Sequence, residues 1–315
     1  MSTKSTIDVE RIRQQLADYM TATGKTQSKI AKELEVSDST LSLFRSSTYT
    51  GNNEEIAMRL EQLLRIGNSR QLLPRPPEFD AKLPVTRDIL NTVEHIHISK
   101  EIGLIYGRSG TGKTTALKHY TSLNSGTVVY VQANITSKSV RGILKLILKT
   151  ISKNIKGSCS DYSDYLVDYF LSTQKLLLID EAQHLSIDAL QAIRNINELA
   201  EVGVILAGNP SIYDNLNGAN EEALDQLNSR IGRFCEVENK YTKKDMRMLF
   251  PDVSGECIDH LRSLATARGG LRVATKHYAM AVDAANALGQ PLAIAHFDHA
   301  RSKISVGVKD DETAF

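Results

Sequence analysis

The stretch that decides the fold is Glu101-Ile-Gly-Leu-Ile-Tyr-Gly-Arg-Ser-Gly-Thr-Gly-Lys-Thr-Thr115. Its first half, residues 102–106, is an apolar run of a length typical of a buried β-strand. Residues 107–114 then show the spacing Gly-x-x-x-x-Gly-Lys-Thr, whose glycines let successive backbone N–H groups point inward around an anion. A helix that begins near Thr114 adds the positive end of its dipole. The segment predicts a strand, a phosphate-binding loop and a helix, against the alternative of a glycine-rich turn without a ligand.

The chemistry of this loop points to a nucleoside triphosphate with a magnesium ion. In loops of this spacing the lysine, here Lys113, reaches the β- and γ-phosphates, and the hydroxyl of the next residue, Thr114, coordinates Mg²⁺. We therefore expect ATP and Mg²⁺ as cofactors. The loop residues predicted to bind the nucleotide are Gly107, Arg108, Ser109, Gly110, Thr111, Gly112, Lys113, Thr114 and Thr115.

A second motif supplies the carboxylates that a hydrolysing site of this kind needs at the end of a neighbouring strand. The apolar run 176–179 ends in Asp180 and Glu181. We expect Asp180 to hold the metal, and Glu181 to orient the attacking water or accept its proton. The alternative is that both residues form the acidic first turn of a helix beginning near Ser186.

Composition limits the kinds of binding site and the cellular location that the chain can have. The 315 residues are 41% hydrophobic and 24% charged, with 38 Lys and Arg against 37 Asp and Glu. Because the net charge is only +1, any contact with DNA must come from local patches. The three cysteines form no Cys-x-x-Cys spacing, which argues against a disulfide framework or a zinc site. No apolar run approaches the length of a membrane span, and the amino-terminal residues lack the core of a signal peptide, so we expect a cytoplasmic protein.

A proline-rich segment and changes in the hydrophobic pattern along the chain predict several domains. Short apolar runs alternate with helical stretches in the middle of the chain, as a parallel sheet covered on both faces requires. The fold class is therefore α/β, preceded by an all-α domain and followed by a small all-α lid. The predicted boundaries are residues 1–66 for the amino-terminal domain, 67–82 for a proline-rich linker, 83–240 for the α/β core, 241–306 for the helical lid and 307–315 for a disordered tail.

These motifs resemble those of a known family. Residues 107–114 are similar to a Walker A motif and Asp180-Glu181 to a Walker B motif. With the following Ala-Gln, the latter resembles the Asp-Glu-Ala-Gln signature of AAA+ ATPases that serve transposases. The resemblance implies that a polar residue after the next strand, Asn209, senses the γ-phosphate. A plain Gly-Asn-Pro turn at this position is the alternative.

The same resemblance assigns roles to three arginines. AAA+ assemblies supply an arginine from a neighbouring subunit to the transferred phosphoryl group. The segment Asn-Ser-Arg-Ile-Gly-Arg at 228–233 resembles that arginine-finger segment, with Arg230 as first choice and Arg233 as second. Gly-Gly-Leu-Arg at 269–272 resembles the sensor 2 motif, which makes Arg272 a phosphate contact from the lid. The alternative for each arginine is an exposed position without a catalytic role.

Residues 26–42 resemble a helix-turn-helix, with apolar positions at helical spacing on both sides of a short break and Ser37 capping the second helix. The turn position usually held by glycine is Glu35, which must tolerate or avoid a positive φ. The alternative to DNA binding is a packing or protein-docking domain. The residues of the second helix expected to face a DNA groove are Ser39, Thr40, Ser42 and Arg45.

A basic stretch at 136–156 contains no acidic residue and has an apolar face at helical spacing. It predicts one wall of a DNA-lined channel, and the alternative is a solvated helix face. The basic residues are Lys138, Arg141, Lys145, Lys149, Lys153 and Lys156, of which the first three are our candidate DNA contacts.

The order of these domains resembles that of the phage Mu B transposition protein family and its Mu-like prophage relatives. The resemblance implies an ATPase, stimulated by DNA and by its partner, that binds double-stranded DNA without strong sequence preference. Such a protein forms a homo-oligomer, a helical filament on target DNA, stimulates the transposase and delivers the target in the cytoplasm of a bacterial host cell. The alternatives are an ATP-regulated helix-turn-helix transcription regulator and another AAA+ loader or secretion ATPase.

Overall fold

The amino-terminal part of the chain is a helical unit. The computed structural model describes residues 7–72, 80–212 and 229–298, and the chain separates into two compact units, residues 1–75 and 76–315. The first unit has one core in which Ile12, Leu16, Leu41, Phe44 and Leu60 are fully buried. Its described helices are α1 (Val9–Thr23), α2 (Gln27–Glu33), α3 (Asp38–Arg45) and α4 (Asn53–Leu72).

Helix α4 extends further than the sequence predicted. It runs through Gly67, where we had placed the start of the linker, and ends at Leu72. A Cβ atom at Gly67 would lie 2.6 Å from the Tyr19 ring, so this glycine allows two helices to pack closely and does not end one. A glycine inside a helix costs only about 1 kcal/mol, which packing outweighs. The proline-rich residues 73–79 lie outside the described residues.

The turn between α2 and α3 answers the question raised by Glu35. This residue adopts φ +57°, the left-handed conformation that glycine usually provides at such a turn. Ser37 caps α3 as predicted, because its hydroxyl accepts a hydrogen bond from the Thr40 N–H at 3.0 Å. Ile30, Ala31, Leu34 and Leu41 are buried between the helices.

A five-stranded parallel sheet forms the centre of the second unit. Its order is β2-β3-β4-β1-β5. Both faces are covered, since alternate residues of the central strands enter different cores: Leu177 and Ile179 on one side, Leu176 and Leu178 on the other. The strands are β1 (Ile102–Gly107), β2 (Val128–Gln132), β3 (Leu176–Asp180), β4 (Val204–Gly208) and β5 (Ile231–Val237).

Helices pack on both faces of this sheet. The core on one face contains residues of α5 (Pro84–Ser99) and α6 (Lys113–Leu123). The core on the other face contains residues of α7 (Val140–Thr150), α8 (Cys159–Thr173) and α9 (Ile187–Ala200). The predicted apolar face of the basic stretch is confirmed, because Ile143, Leu144, Ile147 and Leu148 of α7 are buried in this second core.

Strand β5 was missed by the sequence reading. Residues 232–234 are exposed, and within the described part of the chain the strand pairs with β1 alone, at one edge of the sheet. Its sequence therefore lacks the continuous apolar run that is present in each of the strands β1 to β4.

Helices follow β5, as the sequence predicted. They are α10 (Lys243–Leu249), α11 (Gly255–Thr266) and α12 (Gly270–Ala287), and they share a core with Leu83 and Phe297. A last helix is seen at residues 294–298. Residues 299–306 of the predicted lid and the predicted tail 307–315 lie outside the described residues. Within the described ranges, no helix combines the length and apolar character needed to cross a membrane.

Candidate functional site

The largest concentration of predicted site residues surrounds one cavity of about 520 Å³ at the carboxyl ends of the strands. The strand order explains this position. The loop after β1 and the carboxylates after β3 lie on either side of β4, whose own end carries Asn209. In open parallel sheets, ligands bind outside the carboxyl ends of the strands where the strand order reverses.

The glycine-rich loop lines one wall of the cavity. Gly110 and Gly112 have φ values of +87° and +90°, a backbone conformation that side chains disfavour. Gly112 is also the N-cap of α6, so the positive end of this helix faces the cavity. The predicted loop residues on the wall are Ser109, Gly110, Thr111, Gly112, Lys113, Thr114 and Thr115.

Gly107 and Arg108 have a supporting position. Neither is among the described residues that line the cavity. A Cβ atom at Gly107 would collide with the carbonyl oxygen of Val237, so this glycine allows β1 and β5 to approach. Both carbonyl oxygens accept hydrogen bonds from the Lys113 ammonium, at 2.7 and 2.9 Å.

Lys113 is the most buried cation of the site. Burial lowers the pKa of its ammonium, and the nearby carboxylates of Asp180 and Glu181 oppose that shift. Its hydrogen bonds to the carbonyl oxygens of Gly107 and Arg108 position the ammonium group within the loop. An ammonium that is partly desolvated interacts more strongly with phosphate oxygens than one in bulk water.

Asp180 lies where the sequence predicted, at the end of β3 and not in the first turn of α9. It is 1% exposed, and residues 182–184 form a short 3₁₀ helix before α9 begins at Ile187. The Thr114 hydroxyl donates to Asp180 Oδ2 at 2.7 Å. This pairing joins the two residues predicted to hold the metal.

Glu181 has a backbone conformation that is unusual for its residue type. Its φ is +57°, a left-handed value that costs of order 1 kcal/mol and is concentrated at functional sites. Its carboxylate accepts a hydrogen bond from the Gln183 amide, whose oxygen accepts the Asn209 N–H at 3.2 Å. Gln183, which the sequence reading left without a role, therefore links the carboxylate after β3 to the residue after β4.

Asn209 lies in a turn and also borders the cavity, so its position is compatible with both interpretations of the sequence, a turn residue and a contact to the γ-phosphate. It lines the cavity, and its side-chain oxygen accepts the Ser211 N–H at 2.9 Å, which is a turn-forming hydrogen bond. The oxygen is thus used by the turn, and a contact with a phosphate must come from the Nδ2 donor.

The lid reaches the loop through Arg272. Its guanidinium donates to the Ser109 hydroxyl at 3.2 Å, and the residue lines the cavity although its side chain is exposed. Behind it, Gly269 packs so closely on Gly110 that a Cβ atom at Gly110 would collide with the Gly269 carbonyl oxygen. Loop and lid are therefore in direct backbone contact.

An apolar part of the cavity was not predicted. The hydroxyl of Tyr241 is buried without a hydrogen-bond partner among the described residues, and burial raises its pKa to about 12. No local sequence motif predicts this apolar part, because the residues that line it come from distant segments, which the tertiary fold brings together. They are Leu83, Val85, Tyr241, Leu249 and Leu271.

Arg230 and Arg233 lie away from the cavity of their own chain. Arg230 immediately precedes β5, at the amino end of the sheet, and pairs with Glu198 at 2.9 Å. Arg233 is an exposed residue within β5 itself. Neither residue is among those that line the cavity in the described part of the chain.

The candidate DNA-binding residues occupy two surfaces. Lys138 and Lys145 are exposed, as is Arg141, which also donates to the Tyr162 hydroxyl at 3.2 Å. A concave basic pocket adjoins them and is lined by Arg141, Lys145, Lys149, Lys153 and Lys156.

In the first unit, Ser39, Ser42 and Arg45 of α3 are exposed and Thr40 is half-buried. The Arg45 guanidinium donates to the Gln27 side chain at 2.7 Å. The α3 surface is thus uncharged apart from its ends.

The residues present fit a magnesium nucleotide. The loop supplies glycines whose N–H groups can face an anion, a helix amino terminus and a half-buried lysine, and one hydroxyl is paired with one buried carboxylate. Mg²⁺ usually takes few protein ligands beside phosphate oxygens and waters, so a hydroxyl and carboxylates suffice. The apolar part of the cavity offers room for a base.

Comparison with known proteins agrees with this geometry. A family model described as an AAA domain matches residues 96–216. Cdc6p from Pyrobaculum aerophilum superimposes with a TM-score of 0.58 at 17% identity, over 75% of this chain and 71% of that one. The ORC2 protein of Aeropyrum pernix in its ADP form gives 0.54 at 19% identity, over 73% and 70%. The chain has the AAA+ P-loop NTPase fold.

Proteins that match this chain along most of its length indicate a particular group of AAA+ proteins. The chain is 25% identical over 288 residues to the ATP-dependent target DNA activator B of Escherichia phage Mu, covering 90% of this chain and 92% of that protein. It is 26% identical over 280 residues to the Mu-like prophage FluMu DNA transposition protein B of Haemophilus influenzae, covering 86% and 95%. The resemblance to the phage Mu B transposition protein family is thereby confirmed.

Proposed function

We propose that this protein is an ATP-dependent AAA+ ATPase that binds target DNA with little sequence preference, assembles on it, stimulates a transposase and delivers the DNA for transposition. The observation that carries the proposal is the cavity in which a glycine-rich loop, two carboxylates and a lid arginine meet. The similarity to a protein named ATP-dependent target DNA activator B, along nine-tenths of the chain, supplies the biological setting.

ATP fits the two parts of the cavity. The triphosphate lies against the loop, with Lys113 and Arg272 as cations, and the base enters the apolar part beside Tyr241. The Tyr241 ring and the aliphatic side chains beside it support this orientation, because a flat base buries its apolar faces against such groups. Bound Mg²⁺ neutralises charge on the phosphate oxygens, with Thr114 and Asp180 on its protein side.

Hydrolysis uses Glu181 and Asn209. The Glu181 carboxylate orients a water molecule or accepts its proton, and the Asn209 Nδ2 group contacts the γ-phosphate. Gln183 supports this division of labour, because its hydrogen bonds connect the two residues.

Assembly places a second chain at the site. We assign Arg230, with Arg233 as the second choice, to the γ-phosphate of a neighbouring subunit. Both lie outside the cavity of their own chain, as a residue supplied to a neighbour must. An arginine shared in this way couples nucleotide state to assembly state, so ATP favours the DNA-bound homo-oligomer and hydrolysis releases it.

DNA contact is assigned to the basic surface around α7. Its pocket brings five basic side chains together without an acidic one. Phosphate contacts of this kind are insensitive to sequence, which agrees with binding to arbitrary duplex. The helix-turn-helix formed by α2 and α3 is a second DNA-binding candidate, supported by the glycine-like turn at Glu35 and the exposed α3 surface.

The test compares two variants of the nucleotide site in a DNA-binding assay. Lys113→Ala is expected to abolish ATP-stimulated binding to a labelled duplex of arbitrary sequence, because the phosphates lose the half-buried ammonium of the loop. Glu181→Gln is expected to bind as well as wild type and to dissociate more slowly, because hydrolysis is blocked. Glu201→Gln is the matched control, since Glu201 also has a positive φ and is exposed.

Electron microscopy with a non-hydrolysable ATP analogue then separates the classes of function. Filaments on arbitrary duplex support the proposal. Protection of a single site with half-sites one helical turn apart would indicate a transcription regulator instead. A wild-type protein that binds DNA equally with and without nucleotide would overturn the assignment.

A further inference from the structure

The buried carboxylate of Asp180 has a third partner that belongs to no nucleotide-binding motif. Its Oδ1 accepts the Glu181 N–H at 2.9 Å, and its Oδ2 accepts the Thr114 hydroxyl at 2.7 Å. The same Oδ2 also accepts the hydroxyl of Tyr130, at 2.9 Å. Both oxygens of the carboxylate are therefore held by protein donors.

The sheet register brings Tyr130 to this place. Strands β2 and β3 pair in parallel with Gln132 opposite Asp180 and Tyr130 opposite Leu178. Side chains two residues apart on a strand point to the same face, so the tyrosine ring extends along the sheet towards the carboxylate. Tyr130 is half-buried against the core on that face.

The hydroxyl acts on the carboxylate and not on the nucleotide. Among the described residues that line the cavity, Asp180 and Thr114 are present and Tyr130 is not. A phenylalanine would fill the same space in the core. Packing thus accounts for the ring, and the hydrogen bond to the metal-side carboxylate accounts for the hydroxyl.

We propose that Tyr130 is a positioning residue, which fixes the Asp180 carboxylate so that Asp180 and Thr114 present Mg²⁺ to the nucleotide. This inference rests on the proposed function, because it requires a magnesium nucleotide at the site. The Glu181 N–H and the Thr114 hydroxyl hold one oxygen each and leave some rotation about the Cβ–Cγ bond. The Tyr130 hydroxyl, as a second donor on Oδ2, narrows this rotation further, as outer-shell partners of metal sites do.

Magnesium-dependent nucleotide binding gives the test. The full-length protein is titrated with ATP carrying a fluorescent N-methylanthraniloyl group, once with excess Mg²⁺ and once with EDTA. The chain has no tryptophan, so this label is excited directly without protein background. The dissociation constant in EDTA divided by the dissociation constant with Mg²⁺ measures how strongly Mg²⁺ supports binding. In Tyr130→Phe this ratio is expected to fall by about tenfold, because affinity with Mg²⁺ decreases while the constant in EDTA stays unchanged.

Two controls keep the result specific. Tyr120→Phe removes a hydroxyl on a comparably half-buried ring, but its partner is His97 Nδ1 at 2.9 Å, so the ratio is expected to stay at the wild-type value. Asp180→Asn removes the group through which Tyr130 acts. Adding Tyr130→Phe to Asp180→Asn is therefore expected to lower the ratio no further.

Three outcomes would contradict the proposal. They are a wild-type ratio in Tyr130→Phe, an equal loss of affinity with and without Mg²⁺, and an additive effect in the double variant. Wild-type protein whose nucleotide affinity ignores Mg²⁺ would be a different failure, since it overturns the proposed function and this inference together.

Discussion

The contact between loop and lid gives a prediction that separates two properties of a glycine. Gly110 and Gly112 have nearly the same φ, +87° and +90°. A Cβ atom at Gly112 would meet nothing within 4 Å, whereas one at Gly110 would collide with the Gly269 backbone. Gly112→Ala therefore introduces backbone strain alone, and Gly110→Ala introduces the same strain together with a clash.

The expected magnitudes follow from these two terms. A left-handed conformation costs an ordinary residue about 1–2 kcal/mol, which is the loss of stability expected for Gly112→Ala. Overpacking against a backbone atom that cannot rotate away adds about 1–3 kcal/mol at Gly110. For a unit of this size, each kcal/mol lowers the melting temperature by about 2–4 °C. Gly110→Ala should thus melt several degrees below Gly112→Ala.

Thermal unfolding of nucleotide-free protein, followed by circular dichroism, measures this difference. The ligand must be absent, because a methyl group at either position can also disturb phosphate binding. Equal melting temperatures for the two variants would refute the reasoning, since they would mean that the lid does not pack on the loop in solution.

Two further predictions concern charge. Replacing Lys145 and Lys149 by alanine should lower the slope of log affinity for duplex DNA against log salt by about 2, whereas an unchanged slope in a salt titration would remove these residues from the DNA path. Burial lowers the pKa of His97 in the folded protein. Protonation therefore favours the unfolded chain, so stability is full above the unfolded pKa and falls as the pH drops through the folded one. His97→Gln should reduce the loss of stability that urea unfolding shows between about pH 7.5 and about pH 5.5, and an identical loss in both proteins would exclude His97 as its source.

The parts of the fold that sequence reasoning predicted are those governed by local chemistry. The apolar run at 102–106 and the glycines after it form a strand and a loop here, and their residue types alone predict both, because apolarity and backbone freedom are properties of the residues themselves. Asp180 and Glu181 follow another such run and lie at the end of β3 for the same reason. The phosphate side of the site was accessible from sequence on this basis.

The parts that were missed depend on contacts between distant segments. Strand β5 exists because the edge of β1 offers hydrogen bonds, although most of its side chains are exposed. The apolar part of the cavity joins Leu83 to residues more than 150 positions later, such as Tyr241. The sequence around Gly67 predicts the end of a helix, because the packing of this glycine beside Tyr19 is visible only when both helices are in place.

Contacts at Gln183, Gly269 and Arg272 connect the cavity to two neighbouring elements of the same unit, the end of β4 and the helical lid. Gln183 ties the Glu181 carboxylate to the end of β4, and the lid touches the loop through Gly269 and Arg272. Under the proposed function, a change at the γ-phosphate is expected to reach both the carboxylate and the lid, because packed backbones shift as units. Both connections belong to the same compact unit as the basic surface around α7. Under the proposed function, loss of the γ-phosphate is for this reason expected to alter DNA contact at that surface without any direct bond between nucleotide and DNA.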